Sequence, residues 1–199
     1  MDAQTLKAYS EHASRLIKSY TTMKPRRLYE LLATFFHRQA PTLDVGCGSG
    51  RDLAFLQGSG FKIEGLDAVP EFVEHCHKTV PSVPVHLDRL PKLEKINDAA
   101  FANVLVSAVL THIPADELKE SVANLLRITS PGGRLIVANK KIRHKSDRDD
   151  WGRLQSTIEP WALILLFESL GAKKIFHEES IDDLRKDIIW DNFVFEKLT

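Results

Sequence analysis

The chain has 199 residues, a length that suits one compact domain with a proper core better than two small ones. Lys plus Arg and Asp plus Glu both total 27, and that zero net charge weighs against a surface built to track nucleic-acid backbone, though not against a local basic patch. Apolar residues make up 43%, an ordinary proportion for a soluble protein, and the longest strongly apolar run, residues 161–167, is far too short to span a bilayer.

In chain order, Leu6, Tyr9, Ala13, Leu16, Ile17 and Tyr20 recur at helical spacing, so the first twenty residues read as one amphipathic helix. Pro25 suits the first turn of a second helix, with Leu28, Leu31, Leu32, Phe35 and Phe36 on one face. Beyond Pro41 the pattern changes to strands alternating with helices. Strands are expected over residues 42–45, 61–66, 83–87, 101–107 and 134–138. Helices are expected over 51–57 and 70–78, and from Pro114 until Pro131, Gly132 and Gly133 break the pattern. Residues 139–157 read as an irregular charged loop, followed by a helix over 160–170 and strands near 173–177 and 188–195. Alternation of this kind implies right-handed crossovers and a parallel sheet covered on both faces. The last two strands have no helix between them, so they can pair antiparallel at one edge. The expectation is a single α/β domain: a helical cap over residues 1–39 and a Rossmann-like, doubly wound, seven-stranded core over 40–199.

Cys47 and Cys76 are the only cysteines, which suggests no disulfide framework. The start of the chain lacks the charged-then-apolar pattern of a signal peptide, so a reducing, cytoplasmic setting is the default.

The densest chemical signal is Asp44-Val45-Gly46-Cys47-Gly48-Ser49-Gly50-Arg51-Asp52. A strand ends, three glycines alternate, and a helix begins, which is where an open α/β sheet binds a nucleotide. The spacing is Gly-x-Gly-x-Gly, not the Gly-x-Gly-x-x-Gly of dinucleotide folds, and Asp44 precedes it by two residues. A carboxylate there opposes a pyrophosphate but suits the ammonium of a methionine tail, which argues against NAD. Asp67 ends the second strand, where an acid can accept both hydroxyls of a ribose. Asp88 follows the third, where it can accept from the exocyclic amine of adenine. Each acid alone is as well read as a solvated strand end or a helix cap. Three in order after three successive strands are not.

On these residues the chain resembles the class I S-adenosylmethionine (SAM)-dependent methyltransferases, across residues 40–199. Within them it is similar to small bacterial enzymes with a D-x-G-C-G-x-G-R-D loop. The resemblance extends to Ser107-Ala108-Val109-Leu110-Thr111-His112-Ile113-Pro114, to Pro131-Gly132-Gly133-Arg134-Leu135-Ile136, and to a tail from Asp183 to Trp190. It implies that Gly46, Gly48 and Gly50 line the methionine and ribose, with Asp44 near the amino group and Cys47 the small residue that fits between. It implies Asp67 and Ala68 at the ribose, Asp88, Arg89 and Leu90 at the adenine, and Ser107 and Val109 beneath the sulfonium. S-adenosylhomocysteine is the implied product. Leu110-Thr111 departs from bulkier residues in relatives, which leaves the shape of the active site open. Ala102-Asn103 departs from a common Phe-Asp, without an expected effect on the cofactor.

A methyl group on a positively charged sulfur is already activated, so positioning and exclusion of water supply much of the rate. A general base matters only where the acceptor must lose a proton. His112 is the candidate for that role, against the alternative that it packs at a helix entry. His75-Cys76-His77 is not expected to hold a metal, because neighbours on a helix point apart. The basic run over residues 140–145 lies beside acids at 147, 149 and 150 and reads as a solvated loop before it reads as an anion site. Arg148 and Arg185 are each candidates to clamp a carboxylate, and Tyr9, Tyr20 and Trp151 to form a lid. A small-molecule acceptor is favoured over protein or RNA, and no membrane partner is expected. A non-catalytic SAM-binding module remains the alternative, and the acceptor and oligomeric state stay open.

Overall fold

A computed structural model describes residues 1–141 and 146–199. Seven strands form one sheet: β1 Pro41–Val45, β2 Lys62–Asp67, β3 Val85–Leu87, β4 Phe101–Ser107, β5 Thr129–Lys141, β6 Ala172–Ile181 and β7 Ile189–Lys197. Their order is β3-β2-β1-β4-β5-β7-β6. The first five run parallel, and β7 lies antiparallel between β5 and β6. The antiparallel strand therefore sits one place in from the C-terminal edge, and β6 forms the edge itself.

The period-two alternation expected of strands sorts the core into two layers. Val104 and Val106 of β4, Leu135 and Val137 of β5, and Phe193 and Phe195 of β7 share one face. Helices α6 Leu118–Ile128 and α7 Pro160–Ser169 cover it, through Val122, Leu125, Leu126, Leu163 and Phe167. Phe167 stacks on Phe195 with ring centroids 4.0 Å apart. Leu105, Ile136, Ala138 and Val194 point to the other face. There α3 Arg26–Phe35, α4 Arg51–Gly58 and α5 Pro70–Thr79 pack through Leu31, Leu32, Leu53, Leu56 and Val73. Each buried Leu or Phe contributes about 1.5–3 kcal/mol relative to exposure.

The first twenty residues form two helices rather than one: α1 Ala3–Glu11 and α2 Ala13–Thr22, broken at His12. Thr5 on α1 is buried and accepts from the Leu154 amide at 2.9 Å, while Arg148 pairs with Asp2 at 3.3 Å. Ala13 and Leu16 of α2 pack with Tyr9 against Val69 and Phe72.

Two other boundaries differ. Pro114 does not open α6; residues 110–112 make a 3-10 turn and the helix begins at Leu118. Residues 131–133 end no helix directly, since α6 stops at Ile128, and they bulge from the start of β5 between its pairings at Thr129 and Arg134. Asn103 has a structural reason: fully buried, it accepts from the His37 amide at 2.8 Å and donates to the His37 carbonyl at 2.9 Å, tying α3's exit to β4. Among the described residues no helix is long and apolar enough to cross a membrane.

Candidate functional site

The parallel strands β1, β2, β3 and β4 all end along one side of the sheet, and a cavity of about 270 Å³ opens there beneath α1 and α2. The loop after β1 forms its floor. The amides of Gly46 and Cys47 both donate to the Leu66 carbonyl, at 2.8 and 3.0 Å, so the chain turns sharply as it leaves the sheet. Gly46 has φ 77°, and a Cβ there would lie 2.5 Å from Cγ2 of Val109. Only glycine allows that approach of the β1 and β4 ends.

Of the residues singled out in the sequence, Asp44, Gly46, Cys47, Gly48, Asp67, Ala68, Asp88, Arg89, Leu90, Ser107, Val109 and His112 all line this cavity. Gly50 does not. It sits at the N-cap of α4 with φ 74°, and a Cβ there would meet Sγ of Cys76 at 2.9 Å, so its role is to let α4 pack on α5.

The three acids occupy different environments. Asp67 is buried at the end of β2 and accepts from the amides of Gly48 at 2.8 Å and Val69 at 2.9 Å. Burial pushes its pKa up to about 6 against the pull of those amides. Each oxygen accepts one of these amides and keeps further acceptor capacity, and Asp67 lines the cavity. Asp88 is half-buried and accepts from the amides of Arg89 at 2.7 Å and Lys95 at 2.9 Å, which fixes the loop after β3. Asp44 is buried, and its Oδ2 has no hydrogen-bond partner. Burial and the neighbouring Asp52 carboxylate drive its pKa well up, against the Arg51 guanidinium. An orphaned carboxylate oxygen in a cavity wall is a strong acceptor awaiting a cationic donor, and the ammonium of a methionine tail is one. The chain thus fits SAM: an unpaired acid for the ammonium, a buried acid for the ribose, and a half-buried acid for the adenine.

Arg51 is a wall residue that the spacing of the glycine loop did not single out. Its guanidinium holds Asp52 through two bonds, 2.8 and 2.6 Å, and Asp52 also accepts from the Tyr29 hydroxyl at 3.0 Å. Cys76, distant in sequence from the loop, donates from Sγ to the Gly48 carbonyl at 3.4 Å. The helical run around Cys76 does not converge: Cys76 is buried while His77 reaches the Val85 carbonyl at 3.0 Å.

The far half of the cavity is walled by the cap and by β5, β6 and β7. Tyr9 and Tyr20 line it, whereas Trp151 stands behind Arg153, its ring tilted against His12 with centroids 4.3 Å apart. The Arg153 guanidinium lies between the rings of Trp151 and Tyr9, 4.9 and 5.0 Å from their centroids, and pairs with Asp149 at 2.7 Å. Arg148 serves the cap, pairing with Asp2, while Arg185 reaches the cavity with Asp182 as its partner at 2.7 Å. Of the basic run, Lys140 lines the cavity, Lys141 pairs with Glu179, and residues 142–145 lie outside those described.

His112 is buried with both ring nitrogens engaged. Nδ1 lies 2.6 Å from the Leu154 carbonyl, which can only accept, so Nδ1 carries the proton. Nε2 is then the acceptor, and the Tyr9 hydroxyl donates to it at 2.8 Å. Tyr20 lines the cavity beside Tyr9. Burial lowers the His112 pKa to about 4, so the imidazole is neutral near pH 7.

Residues 43–137 match the family model of a methyltransferase domain. A dTDP-4-amino-2,3,4,6-tetradeoxy-D-glucose N,N-dimethyltransferase of Saccharopolyspora spinosa is 24% identical over 54% of this chain and 43% of its own length. An uncharacterised methyltransferase of Emericella nidulans is 32% identical over 49% of this chain and 40% of its own. The chain thus spans under half the length of these curated relatives. Among solved structures, the 1,6-didemethyltoxoflavin-N1-methyltransferase of Burkholderia thailandensis, with bound 1,6-didemethyltoxoflavin and S-adenosylhomocysteine, superposes with a TM-score of 0.82. It is 17% identical, with 99% of this chain and 88% of that one covered, a likeness of fold.

Proposed function

We propose that the chain is a class I SAM-dependent methyltransferase that transfers the methyl group of SAM to a small-molecule acceptor enclosed in this cavity. The observation that carries the reading is a single cavity with two unlike halves. One half is floored by the glycine loop and walled by Asp44, Asp67 and Asp88; the other is roofed by Tyr9 and Tyr20. A roofed, concave site suits a compact acceptor better than a macromolecular surface. The toxoflavin enzyme of the same fold acts on a small molecule, which supports the same reading.

When bound, SAM supplies a methyl group already activated on a sulfonium. The residues of this chain then have three tasks. Asp44, Asp67 and Asp88 orient the cofactor through its ammonium, ribose and adenine, with Gly48, Ala68, Arg89 and Leu90 beside them, and Arg51 has donors left for the carboxylate end. Gly46 and Val109, in close contact at the ends of β1 and β4, with Ser107, form the floor under the reacting atoms. Tyr9, Tyr20 and Phe72 exclude water from the acceptor. Where the acceptor must lose a proton, neutral Nε2 of His112 takes it, relayed through the Tyr9 hydroxyl.

Calorimetric titration with SAM, S-adenosylhomocysteine and NAD tests the cofactor. Micromolar affinity for the first two and none for NAD is expected, and Asp67→Ala weakens SAM by about 2–3 kcal/mol through loss of two ribose hydrogen bonds. Folded, cofactor-free protein that ignores SAM would sink the reading. Binding without S-adenosylhomocysteine release from any acceptor screened would point to a non-catalytic module.

A further inference from the structure

The cations around the cavity fall into two groups, and one residue stands apart from both. Arg27 pairs with Glu178 and Glu30, Arg51 with Asp52, Arg153 with Asp149 and Arg185 with Asp182. Lys24 and Arg89 lie exposed in solvent at the rim. Lys140 is half-buried, lines the acceptor half, and has no hydrogen-bond or ion-pair partner among the described residues.

The position of Lys140 follows from strand alternation. Ile136 and Ala138 point to the face that carries the cavity, and Lys140, two residues further along β5, does the same. Asn139, between them, does not line the cavity. Lys140 pairs in the sheet with Trp190 of β7, whose ring also lines the cavity and whose indole N–H is fixed on Asp182 at 2.9 Å. Ser107 at the end of β4 pairs with Ala138, so Lys140 lies just beyond the strand end assigned to the reacting sulfur.

We propose that the acceptor is a small organic anion whose carboxylate or phosphate docks on Lys140, its body lying along Trp190, Ile181 and Leu184. This assignment rests on the reading of the site as a SAM-dependent methyltransferase. The charges around Lys140 support it. Burial and the guanidiniums of Arg185 and Arg153 pull its pKa down, and the opposing carboxylates of Asp187 and Asp149 do not restore it. The ammonium is therefore partly desolvated with no ion pair of its own, a cost that an anionic ligand removes on binding. Arg185 and Arg153 each keep N–H donors beyond those used by Asp182 and Asp149, so they can share the anion. Trp190, Ile181 and Leu184 supply apolar wall for the rest of the molecule.

The test uses the whole protein saturated with S-adenosylhomocysteine and three probes of one shape: benzoate, phenyl phosphate and benzamide, titrated by NMR. At least one anion is expected to bind tenfold or more tightly than uncharged benzamide, and the preferred anion tells carboxylate from phosphate. Lys140→Met should weaken that anion at least tenfold and leave S-adenosylhomocysteine affinity unchanged, with Lys140→Arg intermediate. Benzamide binding as well as the anions, or anion affinity surviving Lys140→Met, overturns the assignment. So does a parallel loss of S-adenosylhomocysteine affinity, which makes Lys140 a cofactor contact. Wild-type protein that takes no S-adenosylhomocysteine defeats the methyltransferase reading instead, and the anion site falls with it only if the anions also fail on the free protein.

Discussion

The Tyr9 hydroxyl donates to Nε2 of His112 across 2.8 Å, joining the first helix of the cap to the turn that follows β4. With Nδ1 committed to the Leu154 carbonyl, that bond is the only outlet of the imidazole lone pair towards the cavity. A base linked in this way works through the phenol or not at all. Tyr9→Phe keeps the ring that packs on Phe72 and Arg153 but removes the relay. For an acceptor that must lose a proton, kcat should fall about 10- to 100-fold with SAM affinity within twofold of the parent. Unchanged kcat across pH 6–9 would return the pair to packing alone.

The same histidine leaves a mark on stability. Its pKa is about 4 in the folded protein, against 6.5 for an unperturbed histidine. Between those values the unfolded chain binds more protons, so stability rises with pH, is complete above 6.5, and is lost as pH falls towards 4. Two and a half units correspond to about 3 kcal/mol. Asp67, raised to about 6, acts in the opposite sense: its folded form binds the proton more tightly, and stability falls as pH rises from 3.8 to 6. The parent curve therefore mixes the two. His112→Gln removes one component, and urea unfolding at pH 7 and pH 4.5 should show the variant losing less stability on acidification than the parent. Equal losses would mean that His112 protonates freely in the folded state.

Much of this arrangement was legible in the residues themselves. The glycine spacing and three strand-end acids point to residues that the structure gathers around one cavity, because those features are local in sequence and each follows a strand. The strands of the core were legible for the same reason: alternation in Val104, Leu105 and Val106 sorts directly into two buried layers. What escaped depends on contacts between distant segments. Tyr9 and His112 are 103 residues apart, and nothing in either neighbourhood announces their bond. The break at His12 is not announced either, since the apolar spacing runs through it without interruption. Gly50 carries the same motif signal as Gly46, yet only the position of Cys76 shows that it serves helix packing. Lys140 sits in a run of charged residues that reads as solvated, yet it is half-buried and paired with Trp190 across the sheet.

Asp44 sets stability against binding. Its unpartnered Oδ2, close to Asp52 and Asp67, costs the ligand-free protein folding energy. Asp44→Asn keeps the shape and removes the group's ability to ionise when the ammonium binds. The free variant should gain about 1–2 kcal/mol, a rise of roughly 2–8 °C in Tm for a chain of this size. Its SAM affinity should fall at least tenfold, since the ammonium loses its counter-charge. Scanning fluorimetry with and without SAM reads both effects on one sample. A variant with lower Tm alone and full affinity would show that Asp44 is a structural acid and that the ammonium binds elsewhere.

Gly46 and Gly48 lie two residues apart in one loop and should respond differently to the same substitution. Both have positive φ, 77° and 54°, so alanine costs about 1–2 kcal/mol at either position from backbone strain. At Gly48 the added Cβ would meet Tyr20 Cδ2 at 3.6 Å, ordinary contact, so strain is the whole cost. At Gly46 it would lie 2.5 Å from Val109 Cγ2, and the ends of β1 and β4 must separate to admit it. Gly46→Ala should therefore lose more stability than Gly48→Ala and abolish detectable SAM binding. Combining it with Val109→Ala removes the clashing methyl but not the strain, so binding should return in part, to about the level of Gly48→Ala. If the double variant binds no better than Gly46→Ala alone, the backbone conformation rather than the Val109 contact is what the loop requires.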